Sequence, residues 1–410
     1  MLDKALSVER KEVSLWSEII EAMFIEHIPA EVILFFIIYG ITGAVSLMAA
    51  VYLLLRRSNA IAPGVTPPMR LRRWAASFFA AMALGHVWWY FFYIYTSRDI
   101  HSVGYAVVAV VDCVGMLTTI AGTLLAMLQD RKRPVWPVVA ALIPYMVIGA
   151  LFIATPNDIL MYIAIAYLVL LYAIITIYMV FAVRRYGRWL KDNYADLENK
   201  EVWLSQMVLL VCILLFILYA LVDINTTLIY FLHIGELVVF GLLLWRVETL
   251  PQLESTSDEQ ACSQPALESS QEPELPTQTP QAPAIASPSD QRPLVPSTLI
   301  QQLLDERCVA TQLYLQHDLT LQQIATTIGI NRFYLSQFFS SHGKTYNAYI
   351  NDLRINHFVC LYREAVATGH SITAQQLAYD SGYRSYSTFS LAFKQRMGQS
   401  VTSWMNQSTE

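Results

Sequence analysis

Charge is what this chain has least of. Only 14 % of its 410 residues are Asp, Glu, Lys or Arg, while 55 % are hydrophobic and the mean hydropathy is +0.41. A soluble protein of this length does not need so apolar a composition. Cysteine is also scarce. Cys113 and Cys212 fall in apolar runs, Cys262 in a Pro-rich stretch, and Cys308 and Cys360 near the C-terminus, so no disulfide framework is offered. Glycine-rich phosphate loops, histidine-kinase and receiver patterns, and any Ser/His/Asp arrangement are missing, which leaves no catalytic constellation. No enzyme activity and no cofactor are expected.

What the chain has instead is long apolar runs. Seven stretches carry few or no charges: Val32–Leu55, Trp74–Tyr95, Val103–Leu128, Val135–Ala154, Ile159–Val183, Val202–Leu221 and Thr227–Trp245. Each approaches the ~20 residues that cross a ~30 Å hydrocarbon core. Arg56, Arg57, Arg70, Arg72 and Arg73 follow the first run, and Arg131, Lys132 and Arg133 follow the third. Arg184, Arg185, Arg188, Lys191 and Lys200 follow the fifth, whereas the alternate loops hold only Arg98. Positive charge stays cytoplasmic, which predicts an inner-membrane protein with its N-terminus outside and its C-terminus inside. An odd number of spans satisfies that orientation.

Residues 1–29 hold six acids against three bases, too charged for a cleavable signal. Leu15, Trp16, Ile19, Ile20, Met23 and Phe24 recur at helical spacing, so this extracytoplasmic tail reads as an amphipathic surface helix or a partly disordered segment. Residues 248–296 carry nine prolines with many Ser, Gln and Glu, the composition of a disordered acidic linker. A flexible coil of that length reaches roughly 40 Å and is open to proteolysis.

Beyond the linker the chain repeats itself. Leu319-Thr320-Leu321-Gln322-Gln323-Ile324-Ala325 recurs as Ile372-Thr373-Ala374-Gln375-Gln376-Leu377-Ala378, and each copy then reaches a glycine and an apolar residue, Gly329-Ile330 and Gly382-Tyr383. Thr320 with Gln323, and Thr373 with Gln376, match the Thr-x-x-Gln capping box of a helix start. Leu335 with Phe339, and Phe389 with Phe393, lie four apart on one face of a second helix. Both copies therefore predict helix, glycine turn, helix. The segment between them, Thr345 to Ala367, has no Pro or Gly and predicts one long helix. Its ~33 Å length is close to the ~34 Å between successive major-groove faces.

Residues 297–410 resemble the DNA-binding domain of AraC/XylS-type transcription regulators. The stretch that carries the resemblance runs from Ser381 through Lys394, with Gly382, Tyr383, Phe389, Ser390 and Phe393 at signature positions, and ends in Gly398 and Trp404. The resemblance implies an all-α domain of seven helices, two of them groove readers, and no catalysis. DNA contacts are expected from Arg332, Ser336 and Gln337 in the first reader and from Arg384, Tyr386, Ser387, Ser390 and Lys394 in the second. Leu391 stands where the family usually has Arg, and Gln337 and Ser340 stand where Arg and Lys are common. From Ser297 onward, eight Lys or Arg face seven Asp or Glu, so the domain is barely basic.

Four ionisable residues fall inside the apolar runs: His86, Asp112, His233 and Glu236. Such residues are functional candidates by default. At 1.5 Å per residue, His86 and Asp112 lie about 12 and 14 Å from the outer boundary, close enough in depth for a polar cluster with His86 paired to Asp112. One His/Glu pair three apart is too little for a metal site, so none is expected. The chain thus reads as a seven-helix transmembrane bundle over 30–247 joined to a cytoplasmic all-α domain with two helix-turn-helix units. The expected partners are double-stranded promoter DNA, RNA polymerase, the lipid bilayer, an unknown signal and a second copy of the chain. Two other readings stay open: a transporter or receptor with a regulatory or protein-binding appendage, and a regulator activated by proteolytic release.

Overall fold

The structure is a computed structural model that describes residues 30–56, 58–95, 102–155, 157–221, 226–253, 295–369 and 372–407. The expected tail helix at 1–29 and nearly all of the linker, 254–294, lie outside the described residues. The described chain is all-α. It divides into two compact units, one comprising the described parts of Met1–Met127, Arg133–Ile177 and Leu204–Pro251, the other Leu128–Lys132, Tyr178–Trp203 and Gln252–Glu410.

Seven helices cover the apolar runs: α1 (Ala30–Leu55), α2 (Met69–Tyr95), α3 (Val103–Met127), α4 (Trp136–Ala154), α5 (Asp158–Asn193), α6 (Trp203–Leu221) and α7 (Thr226–Thr249). Among the described residues five of them, α1 to α5, are long and apolar enough to cross a membrane by length and composition. In the first unit α1 to α4 pack in sequence, and α7 returns against α1 and α2. Their outward faces are apolar: Met48 is 63 % exposed, Ile143 56 % and Phe231 67 %. Burying these side chains against one another was avoided in favour of facing outward, which is favourable against lipid tails and costly against water.

Some polar groups inside this unit are satisfied across helices. Gln206 Nε2 donates to the Leu124 carbonyl at 2.8 Å and Tyr172 Oη to that of Leu210 at 2.9 Å. At the far end of α1, Arg56 pairs with the buried Glu248 at 2.5 Å, and Asn59 Nδ2 donates to the Glu248 carbonyl at 2.9 Å. Two helix boundaries differ from the sequence expectation. Helix α2 begins at Met69, so Arg70, Arg72 and Arg73 lie on its first turns. Helix α5 runs ten residues past Val183, so Arg184, Arg185, Arg188 and Lys191 are helical. That stretch has no proline, its one glycine, Gly187, is tolerated within the helix, and basic residues are good helix formers.

The second unit holds the C-terminal helices α8 (Ser297–Leu304), α9 (Leu321–Ile328), α10 (Arg332–Ser341), α11 (Tyr346–Thr368), α12 (Ala374–Asp380), α13 (Tyr386–Met397) and α14 (Val401–Gln407). A π turn, Asp305–Val309, and a short 3-10 turn, Leu313–Leu315, link α8 to α9. These seven α-helices build two cores. Leu321, Ile324, Ala325, Leu335, Phe339 and Ile350 form the first; Phe358, Leu377, Phe389, Phe393 and Trp404 form the second. Helix α11 feeds both, its first half the one and its second half the other. The first core also takes Ala195, from the turn after α5. Burial pushes the Cys308 thiol in this core up to about 11, so it stays a protonated apolar filler at neutral pH.

Candidate nucleic-acid interface

Each helix-turn-helix is set up by local chemistry. Thr320 caps α9 by accepting from Gln323 N at 3.1 Å, while Gln323 Oε1 accepts from Thr320 N at 2.8 Å, a complete capping box. Thr373 caps α12 in the same way, accepting from Gln376 N at 3.2 Å. The reciprocal half differs from the expectation, because the Gln376 side chain turns forward to donate to Asp380 at 3.0 Å. Asn331 and Ser385 then cap the two reader helices, α10 and α13. Removing the first box with Thr320→Ala should cost about 1 kcal/mol, seen as faster amide exchange confined to α9.

The reader helices bury one face and present the other. In α10, Leu335, Phe338 and Phe339 are buried, while Phe333, Ser336, Gln337 and Ser340 are exposed and Arg332 is half-buried. In α13, Phe389 and Phe393 are buried; Ser387, Leu391 and Lys394 are exposed, Tyr386 and Ser390 half-buried, and Arg384 is exposed at the entry. Of the residues expected to meet DNA, Ser336 and Gln337 on α10 and Ser387 and Lys394 on α13 lie on exposed faces, whereas Tyr386 packs against the second core. Leu391, 61 % exposed, offers an apolar surface of the kind that meets a thymine methyl.

Between the two motifs the structure holds a charged cluster that sequence reasoning missed. Arg354, on α11, is fully buried. Its Nη1 pairs with Asp196 Oδ1 at 2.6 Å, its Nε donates to the Tyr314 carbonyl at 2.8 Å and its Nη2 to that of Gln316 at 2.8 Å. The guanidinium also lies over the Tyr383 ring, 5.5 Å from its centroid. Asp196 Oδ2 accepts in turn from Asp318 N at 2.6 Å. Around this pair the turn after α5 joins the domain through its backbone. Ala195 N donates to the Leu319 carbonyl at 3.0 Å, and Asn347 Nδ2 donates to that of Ala195 at 2.5 Å.

Two of the expected DNA contacts already have protein partners in this unit. Arg332 Nη2 donates to Asn193 Oδ1, at the end of α5. Arg384 Nη2 pairs with Asp318 Oδ2 at 2.5 Å, and Asp318 also takes Lys200 at 3.0 Å. Thr388, on α13, donates to Glu198 at 3.4 Å. The segment 193–200 thus touches both readers.

In the first unit, His233 Nδ1 lies 3.2 Å from Glu236 Oε2 on α7. His86, on α2, joins them, so that one ligand atom from each of the three lies within 4.8 Å of the others. The expected pairing of His86 with Asp112 is not formed. Trp89 Nε1 donates to Asp112 Oδ2 at 3.1 Å, while His86 Nδ1 contacts the Met82 carbonyl at 2.8 Å. An indole N–H one turn further along α2 was the nearer donor for that carboxylate.

Residues 324–407 match the family model of a helix-turn-helix domain, of the AraC type. That is a DNA-binding regulatory family, not an enzyme family. No curated protein and no solved structure matches the chain.

Proposed function

We propose that this protein is a membrane-embedded, one-component transcription regulator that reads promoter DNA sequence-specifically through both helix-turn-helix units. The observation that carries this reading is the pair of capped helix, glycine turn, helix motifs bracketing α11, each with a polar outward reader face, within the stretch that matches the family model. The basic residues after the first, third and fifth runs support an inner-membrane protein of seven spans, N-terminus outside, with the readers in the cytoplasm. Promoter DNA and RNA polymerase are the cytoplasmic partners, a second copy is the expected route to higher affinity, and His86, Asp112, His233 and Glu236 form the sensing region.

Arg384 and Arg332 serve as DNA contacts by exchanging partners. The Arg384–Asp318 pair is about half exposed, 54 % and 40 % on the two side chains, and such pairs contribute only about 0–1 kcal/mol. A bidentate contact to a base edge is worth about 1–3 kcal/mol of discrimination, so the exchange favours DNA. Arg332 exchanges its contact with the Asn193 amide for a phosphate or a base edge.

Arg384→Ala in the full-length protein should lower affinity for its own operator about 5- to 150-fold and relax preference at one base position. The measurement is footprinting on operators recovered by chromatin immunoprecipitation of the membrane-located protein. Unchanged affinity and unchanged preference together would remove Arg384 from the interface. Absence of any sequence motif among the recovered fragments would sink the regulator reading itself.

A further inference from the structure

We propose that His86, His233 and Glu236 form a binding site for a divalent transition-metal ion, with zinc as the reference member of the class. The proposal rests on the reading of this region as the sensor and gives that sensor a ligand.

The tautomer of His86 is set by its neighbour. Its Nδ1 lies 2.8 Å from the Met82 carbonyl, which only accepts, so Nδ1 is the donor and, in the neutral imidazole that binds metals, Nε2 holds the lone pair. A backbone carbonyl holding the outer nitrogen is the usual way a metal-binding imidazole is oriented. Among the described residues His86 Nε2 is buried and has no hydrogen-bond partner, and the same holds for Glu236 Oε1. Two acceptor atoms left unpaired away from water are costly, and no donor among the described residues relieves either one. A single cation relieves both.

The donor set decides the class. Two imidazoles and one carboxylate suit zinc, copper, nickel or iron, whereas calcium and magnesium take oxygen ligands. Ligands around a tetrahedral ion at ~2.0–2.1 Å sit roughly 3.3 Å apart, and one ligand atom from each of the three residues lies within 4.8 Å of the others. Closure therefore needs shifts of about an ångström, within the range of side-chain rotation. Three protein ligands also leave a fourth position for water or for an exogenous group, the arrangement of a responsive site rather than a closed structural one.

The surroundings fit the same use. Tyr39, on α1, packs its ring 4.6 Å from that of His86 and 5.4 Å from that of His233, while its hydroxyl is taken up by the His86 carbonyl at 2.6 Å. A Cβ on Gly43 would lie 3.2 Å from His86 Cβ, so the small residue there is what lets α1 close over the histidine. Three helices, α1, α2 and α7, thus converge on the site, and an ion that draws the ligands together also draws α2 toward α7.

The test uses the full-length protein in lipid nanodiscs, stripped of metal and titrated with cobalt(II), a visible probe of zinc sites. One cobalt per chain with the d–d absorption of a four-coordinate ion is expected. His86→Ala and Glu236→Gln should each weaken binding at least ~100-fold, more than the loss of an outer-shell partner does. X-ray absorption of the zinc-loaded parent needs no variant and should show nitrogen and oxygen at about 2.0–2.2 Å with two imidazoles and no sulfur shell. No bound cobalt, binding that survives both ligand substitutions, or a sulfur shell would each overturn the site. The operator footprint, recorded on the same samples with and without zinc, separates the two readings. Metal that binds without altering DNA occupancy rejects the sensor role and leaves the site standing.

Discussion

Asp196→Ala should loosen the DNA-binding domain more than any substitution on the reader faces. Removing this carboxylate leaves the Arg354 guanidinium buried with two carbonyls and no counter-ion, and also strips Asp318 N of its acceptor. Breaking a buried pair from one side costs about 3–5 kcal/mol, most of it the uncompensated charge. Neither partner is exposed enough for solvent to discount that figure, at 0 % and 6 % of their side chains. Amide exchange measured peptide by peptide on the full chain should therefore quicken by roughly a hundredfold to several thousandfold in 313–318 and along Tyr346–Thr368, with α1 to α4 unchanged. Asp196→Asn keeps one acceptor oxygen, enough for Arg354 or for Asp318 N but not in place of both carboxylate oxygens, and should have an intermediate effect. Equal exchange in parent and Asp196→Ala would mean that the pair contributes nothing to holding this segment.

The two motif glycines should respond very differently to alanine. Gly329 and Gly382 both have positive φ, +77° and +87°, which costs an alanine about 1–2 kcal/mol. Beyond Gly329 there is room, the nearest atom to an added Cβ being Arg307 Nη1 at 3.7 Å. At Gly382 the same atom would meet the Leu315 carbonyl oxygen at 2.7 Å and Leu315 Cα at 2.8 Å, main chain that cannot rotate away. Overpacking adds about 1–3 kcal/mol, and moving Leu315 also disturbs the carbonyls on either side of it that hold Arg354. Gly382→Ala should accordingly abolish operator binding in a gel-shift assay. Gly329→Ala should bind at low temperature and lose binding a few degrees earlier than the parent on warming. Equal behaviour of the two would remove Leu315 from the explanation. Combined with Asp196→Ala, the Gly382 effect should be less than additive, since both act on the same arginine.

The parts of this molecule that are written in short-range pattern were legible in the sequence. Thr320 and Gln323 cap as their spacing predicts, and the expected helix from Thr345 to Ala367 is found as Tyr346–Thr368. The outward faces of α10 and α13 follow from a 3.6-residue period with Leu335, Phe339, Phe389 and Phe393 inward. Less legible were partner choices between groups of similar reach. Asp112 takes an indole and not His86, and Gln376 takes Asp380 and not its own cap. The Asp196–Arg354 pair joins residues 158 positions apart, and no local pattern announces it. One signal was available: Arg354 falls four residues from both Ile350 and Phe358, in the middle of an otherwise apolar face. A charge in that register requires a buried partner. Nothing in the sequence, however, selects Asp196 from the polar stretch 191–200. His86 is a similar case, a lone histidine until the fold sets it beside His233 and Glu236.

Cutting this chain between 254 and 294 would not set the DNA reader adrift. The segment 193–200 precedes any such cut, yet it supplies Ala195 to the first core, a carboxylate to Arg354 and main-chain hydrogen bonds to Leu319 and Asn347. The two products would remain associated as a nicked protein, each completing the other as complementing fragments do. A protease acting there changes the covalent map and leaves the assembly intact. For the same reason the piece beginning at Ser297 is an incomplete fold, with a buried cation whose counter-ion belongs to the other fragment, and adding a peptide that spans Asn193 to Lys200 should restore it.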